Sequence, residues 1–228
     1  MDLISYLREN AGTVLLYGEQ HLLVVFFAIA LGSTISIGFA LLVTPGEAAP
    51  QRWSLDWILG AIRDGALLVT AAALTVPSLA LLVLLLPLFG LGAATTVTAL
   101  TIYSLYSVLR NSVAGLSSVD AGVLESAKGL GMGRLRRLIR VQLPLAWPVI
   151  LNGIRVATLI DVAIAAVAAL VRGPGLGQLV LTGLSRYGAA NAFNQVLVGT
   201  LGCLVVAAVF EIFYAIVERL TVPRGIRV

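Results

Sequence analysis

Charge is what this sequence has least of: only 11% of its 228 residues are Asp, Glu, Lys or Arg, against about 25% in a typical soluble domain. So few charges cannot cover a water-soluble fold, and with 59% apolar residues lipid must be the solvent for much of the chain. Cysteine occurs once, at Cys203 in an apolar run, which excludes a disulfide framework and a cysteine-rich metal site. Histidine also occurs once, at His21, and a single histidine cannot build a zinc site. The polar–apolar alternation of a membrane β-barrel is missing, so helices are the expected crossings. Missing too is a basic start followed by an apolar core. Met1–Gln20 carries Asp2, Arg8, Glu9 and Glu19, so no cleavable leader is expected.

Long apolar runs, most of them free of charge, are present instead, and they suggest about five spanning helices in an all-α polytopic bundle. The first is Leu22–Val43, closed by Thr44-Pro45-Gly46. Gly65–Leu109 carries no charge and is too long for one crossing. It divides at Phe89-Gly90-Leu91-Gly92 into Ala66–Leu88, with Pro77 and Pro87 inside, and Ala93–Leu109. Further crossings are expected at Pro148–Val171 and about Gln195–Val217. Residues 1–21 read as an external interfacial segment, 22–218 as the membrane domain with a loop at 110–147, and 219–228 as a tail.

Orientation follows from the basic residues. The 44–65 segment, the 110–147 loop and the tail hold eleven of the fifteen Lys and Arg residues. The positive-inside rule therefore puts those segments in the cytoplasm and the N-terminus outside. The net charge of +4 is read as loop charge at a membrane surface, and no nucleic-acid partner is expected.

The 110–147 loop is the most informative segment. Glu125-Ser126-Ala127-Lys128-Gly129-Leu130-Gly131-Met132-Gly133 is a short helix running into a glycine turn. Leu135, Leu138 and Ile139 then fall on one face of a basic helix with Arg134, Arg136, Arg137 and Arg140 on the others, and Pro144 is expected to end it. Small residues at Ala127, Gly129, Gly131 and Gly133 would let another backbone approach closely. On physics alone, a basic helix resting on anionic headgroups explains the segment equally well. Gly129-Leu-Gly131-Met-Gly133 is no nucleotide loop: no strand precedes it and no glycine-lysine-serine/threonine follows.

The loop resembles that of ATP-binding-cassette importer permeases, which reads E-A-A, three residues, G, nine residues, I-x-L-P. Here Glu125-Ser126-Ala127, Gly131 and Val141-Gln142-Leu143-Pro144 stand at that spacing, with Ser126 and Val141 as mild departures. Thr75–Leu82, Pro87–Gly92, Tyr103-Ser104-Leu105, Leu109-Arg110-Asn111 and Asn152–Ala157 look like the osmoprotectant branch, whose substrates are quaternary amines such as glycine betaine, choline, carnitine or proline betaine. The similarity runs from about Leu22 to Gly225. Departures lie at Arg172–Gly177 and at Asp161, where the family has a neutral residue.

The resemblance implies a type I importer transmembrane domain in a bacterial inner (plasma) membrane. Glu125, Ser126, Ala127, Gly129, Gly131, Gly133, Val141, Leu143 and Pro144 would form a cytoplasmic coupling element seated on an ATPase dimer. A second permease subunit, identical or related, would complete the channel and an extracytoplasmic binding protein would deliver solute. The chain would bind no cofactor and catalyse nothing, since ATP and magnesium belong to the ATPase. Pro77, Ser78, Tyr103, Asn111 and Asp161 are candidates for the substrate pathway, and Gly173, Gly175 and Gly177 for an external gate.

Arg155 and Asp161 fall inside the fourth crossing, six residues apart and on different helical faces. Arg155 is expected to snorkel to the cytoplasmic surface, and Asp161 to meet a partner on another helix or a wet cavity. His21 is expected at the membrane interface. Two other function classes lack the parts they need. An intramembrane enzyme needs facing catalytic groups, and with Asp161 read as the only deep carboxylate those parts are missing. A secondary transporter predicts a paired internal repeat, which the sequence does not display.

Overall fold

The computed structural model describes residues 2–44 and 53–222, without the side chains of 53–56. The expected turn at Pro45-Gly46, Arg52, and the tail arginines Arg224 and Arg227 lie outside the described residues. Everything regular among the described residues is helical.

A short α1 (Leu3–Glu9) is capped by Asp2, whose Oδ1 accepts the Ser5 N–H at 2.7 Å. It leads into α2 (Ala11–Val43), 33 residues long. The first crossing thus begins at Ala11, well before the expected Leu22. The polar run Glu19-Gln20-His21, read as its outer edge, continues the helix because His21 finds a partner inside the bundle. His21 is fully buried, with Nε2 3.1 Å from the Val162 carbonyl oxygen. It is a core residue rather than an interfacial one.

The expected continuous crossing at 66–88 is broken in the middle. α3 (Trp53–Thr75) stops before Val76-Pro77, and α4 (Ser78–Phe89) restarts beyond it. Pro77 lacks the N–H that would reach Ala73, so the Val76 N–H bonds the Ala73 carbonyl instead at 3.3 Å. The Thr75 hydroxyl donates to the Ala72 carbonyl at 2.7 Å. The freed Val76 carbonyl accepts from the Tyr103 hydroxyl at 2.5 Å. Pro87, by contrast, is carried within α4.

α5 (Ala93–Ser117) runs antiparallel to α8 (Leu143–Val167), and these two form the centre. Small residues bring the backbones together, as helices in lipid require. A Cβ on Gly153 would lie 2.5 Å from Asn111 Cβ, and one on Gly115 would lie 2.9 Å from the Ala146 carbonyl oxygen. α2 packs on the same centre, where the Ser36 hydroxyl donates to the Leu105 carbonyl at 3.2 Å. Among the described residues four helices are long and apolar enough to cross a membrane. With its 25 residues α5 has the length of a fifth, but it buries Thr95, Thr96, Thr101, Ser104, Ser107 and Ser112 against its neighbours. Its composition is that of a helix surrounded by protein. Outward faces carry Phe26, Phe27, Leu31 and Ile35 on α2 and Leu204, Val205, Ile212 and Phe213 on α10, all exposed, as a lipid solvent allows.

Between α5 and α8 come α6 (Ala121–Gly129) and α7 (Arg134–Arg137). Pro144 does not end the basic helix. A π turn at Leu138–Gln142 joins α7 to α8, with the Leu143 N–H on the Leu138 carbonyl. The wider turn just ahead of Pro144 accommodates the proline, which sits in the first turn of α8. α8 closes in a 3₁₀ turn, Ala168–Val171. Then α9 (Gly177–Ser185), too short to cross, folds back against α10 (Ala192–Thr221).

Candidate functional site

Two polar features stand out, one at an end of the bundle and one along a helix seam. At the end, the C-terminal ends of α2 and α5 meet the start of α8. The Gln142 amide donates to the Leu116 carbonyl at 3.1 Å, and Leu41 and Thr44 lie against Arg134, Arg137 and Gln142. α6 projects from this end. Asp120 caps it by accepting the Val123 N–H at 3.1 Å. Leu124 and Ala127 are buried against the rest of the chain, whereas Glu125, Ser126, Lys128, Gly129 and Leu130 face outward.

The four-residue interval from Ala127 to Gly131 has a geometric cause. The Met132 N–H bonds the Ala127 carbonyl at 3.1 Å and the Gly131 N–H bonds the Lys128 carbonyl at 2.9 Å. This paired closure requires a left-handed residue at Gly131, whose φ is +79°. A Cβ at Gly129, Gly131 or Gly133 would meet nothing within 4 Å. Among the described residues none uses the close approach these glycines permit. Around them Val123, Leu130, Leu135 and Ile139 are exposed. Val141 and Leu143 are half-buried and Pro144 is exposed; Val141 lies in the π turn and the other two open α8.

The seam runs between α8 and α10, which are antiparallel. The Trp147 indole N–H donates to the Thr221 hydroxyl at 2.7 Å. Deeper in, Arg155 Nη1 donates to Glu218 Oε2 at 3.3 Å. Arg155 Nε lies 3.1 Å from Glu211 Oε2, close enough to pair although off the line of a hydrogen bond. Deeper still, the Thr158 and Tyr214 hydroxyls are 2.7 Å apart. Beyond them Asp161 is fully buried, and neither carboxylate oxygen has a hydrogen-bond partner. Arg155 therefore does not snorkel. It bridges two carboxylates of α10, one of which, Glu211, is a second deep carboxylate that the sequence reading left without a role. An arginine and a glutamate of opposite sign in two separate crossings were the available signal. Among the described residues Asp161 has no partner on another helix.

The expected pathway residues are not one cluster. Tyr103 meets the break beside Pro77, where Ser78 opens α4. Asn111 lies farther along α5, packed on Gly153 with its amide bonded back to the Ser107 carbonyl at 2.8 Å. Asp161 belongs to the α8 seam. The expected gate residues form a buried turn. Arg172 is left-handed at φ +58° and Gly175 has φ +126°. The Gln178 amide donates to the Gly173 carbonyl at 2.9 Å, and the Gly92 N–H to the Val171 carbonyl at 3.0 Å. A Cβ on Gly175 would lie 2.9 Å from His21 Nδ1, and one on Gly177 would run into the Ala166 backbone. This turn ties α2, α5 and α8 together at the end opposite α6. Among the described residues no group of His, Cys, Asp and Glu could hold a metal ion.

Residues 57–222 match the family described as "Binding-protein-dependent transport system inner membrane component". An osmoprotectant import permease protein of Salmonella typhimurium, OsmW, is 33% identical, with all of both chains covered. The glycine betaine/carnitine/choline transport system permease protein OpuCB of Bacillus subtilis is 29% identical over 99% of this chain and 96% of its own. Among solved structures, the inward-facing MetNI methionine ABC transporter aligns with a TM-score of 0.71 at 18% identity, covering 91% of this chain and 95% of that one. An amino acid ABC transporter aligns equally well, with a TM-score of 0.71 at 20% identity over 96% and 98%. At such identities the likeness establishes the fold.

Proposed function

This chain belongs to the family of binding-protein-dependent transport system inner membrane components, and from that premise we propose that it is the permease subunit of an ATP-driven importer of quaternary-amine osmoprotectants. The permease names of its relatives support the solute class. The single observation that carries the mechanism is α6, an exposed helix closed by Gly131 whose three glycines meet no neighbour among the described residues.

The physical account is mechanical. Ala127 and Leu124 are the buried face of α6, which packs on α7 and the π turn, while Glu125, Ser126, Gly129 and Leu130 face a groove on a cytoplasmic ATPase. Movement of that groove passes through the turn at Leu130–Gly133 into a helix that continues without interruption from Arg134 to Val171. The push is thereby delivered to α8, whose other faces hold α2, α5 and α10. ATP and magnesium are bound by the ATPase and this chain performs no hydrolysis. Two permease subunits enclose the path, a binding protein supplies solute from outside, the N-terminus lies outside, and the buried Gly173–Gly177 turn is the outer closure.

The test is reconstitution in proteoliposomes with an ATPase and a solute-binding protein taken from neighbouring reading frames. ATP-dependent accumulation of labelled glycine betaine, with turnover that rises when loaded binding protein is added, is the expected result. Accumulation that persists with a hydrolysis-dead ATPase would overturn the reading.

A further inference from the structure

Arg155 sits midway along α8, about 18 Å from either end at 1.5 Å per residue. With the two glutamates it makes a half-exposed trio: the side chains of Arg155, Glu211 and Glu218 are 27%, 39% and 33% exposed. Arg155 and Glu211 lie inside the crossings, whereas Glu218 stands three residues from the end of α10. Charges within a crossing cannot face hydrocarbon cheaply, since one at mid-membrane costs at least about 2.5–3.5 kcal/mol. The face must therefore be turned away from lipid. It also holds a cleft of about 340 Å³, lined by Asn152, Arg155 and Glu218 together with Val149, Leu151 and Val222, within the size range of small-molecule sites. The exposed Asn152 amide and Arg155 Nη2 have no hydrogen-bond partner among the described residues.

We propose that this cleft is a solute subsite for small zwitterions carrying a quaternary ammonium and a carboxylate. The free edge of the Arg155 guanidinium and the Asn152 amide receive the carboxylate. The Glu218 carboxylate balances the ammonium, whose methyl groups rest on Val149 and Val222. The trio holds one positive and two negative charges, so it has room for a ligand's cation, while a planar donor pair favours a ligand that also carries a carboxylate. Choline, which has the ammonium and no carboxylate, leaves Arg155 and Asn152 unpaired.

This inference rests on the transport reading above, and its test separates the two. Binding of glycine betaine and of choline to the purified permease–ATPase complex, without binding protein, is measured by ligand-detected NMR. Uptake by the full assembly is measured in parallel. The wild type is expected to bind glycine betaine roughly tenfold or more tightly than choline, the size of one charge-assisted hydrogen bond. Arg155→Lys keeps the charge and the pairs with α10 but loses the fork, and should erase that preference. Asn152→Leu fills the cleft without touching the ion pairs, and should weaken both ligands while leaving co-purification with the ATPase unchanged. A purely structural bridge predicts an unaltered ratio in Arg155→Lys. Unaltered binding by both variants, in an assembly that still accumulates glycine betaine, overturns the subsite alone. An assembly that accumulates neither solute overturns the transport reading and the subsite with it.

Discussion

Gly131 does two jobs that a single substitution can separate. Its φ of +79° is a conformation in which any Cβ costs roughly 1–2 kcal/mol, yet a side chain there would meet nothing in its own chain. Gly131→Arg should therefore insert and fold with a local penalty of that size, while losing ATPase association and uptake. Wild-type transport by this variant would remove α6 from the coupling role. Arg155 is a different kind of residue. Arg155→Gln leaves Glu211 and Glu218 without their shared cation, and should lower stability by about 2 kcal/mol after allowance for screening of a partly exposed trio. Adding Glu211→Gln should recover part of that loss. Thermal unfolding of the single and double variants gives the coupling energy, and strict additivity would show that the pair is incidental. The Glu125–Pro144 pattern was legible through its resemblance to the importer-permease loop, and the cap geometry accounts for its Ala127–Gly131 interval. The Arg155 trio was not, because Glu211 stands alone in an otherwise apolar run and its partner is 56 positions away (155 to 211).

At the level of elements, lipid made the crossings legible and left their irregularities hidden. An apolar run of sufficient length must be helical in hydrocarbon, so α2, α8 and α10 are found where charge is sparse. Whether a proline kinks a helix, breaks it or is absorbed depends on which neighbour accepts the freed groups. Pro77 breaks its helix because Tyr103 stands ready for the Val76 carbonyl. Pro144 is absorbed because a π turn precedes it. Tyr103 was expected to line the pathway, and its geometry assigns it to the break. Tyr103→Phe leaves the Val76 carbonyl unpaired and should cost about 1–2 kcal/mol of stability, with the half-saturation for glycine betaine unchanged. A raised half-saturation at unchanged stability would return Tyr103 to the pathway wall. His21 illustrates the same limit. Nothing in Glu19-Gln20-His21 reveals that a carbonyl of α8, 141 positions on, completes its hydrogen bonding.

For the whole molecule the decisive quantity is which end faces the cytoplasm. The bundle has two chemically distinct ends. One carries α6 and the arginines at 134, 136, 137 and 140; the other carries the sealed glycine turn and the exposed Tyr187. The asymmetry of basic residues argues that the α6 end is cytoplasmic, since arginine and lysine near crossings are retained on that side. The single native cysteine makes this measurable. In a Cys203→Ser background, Leu130→Cys and Tyr187→Cys place one thiol at each end, at side chains 79% and 92% exposed, where substitution removes no packing. A membrane-impermeant maleimide should label position 187 in intact cells, and position 130 only in inverted vesicles. Co-expressed ATPase should then protect position 130 and leave 187 accessible, because only the α6 end is covered by the partner. Labelling of position 130 from outside intact cells would place the coupling helix on the side where no ATP is available, and neither the import direction nor the mechanical role of α6 would survive it.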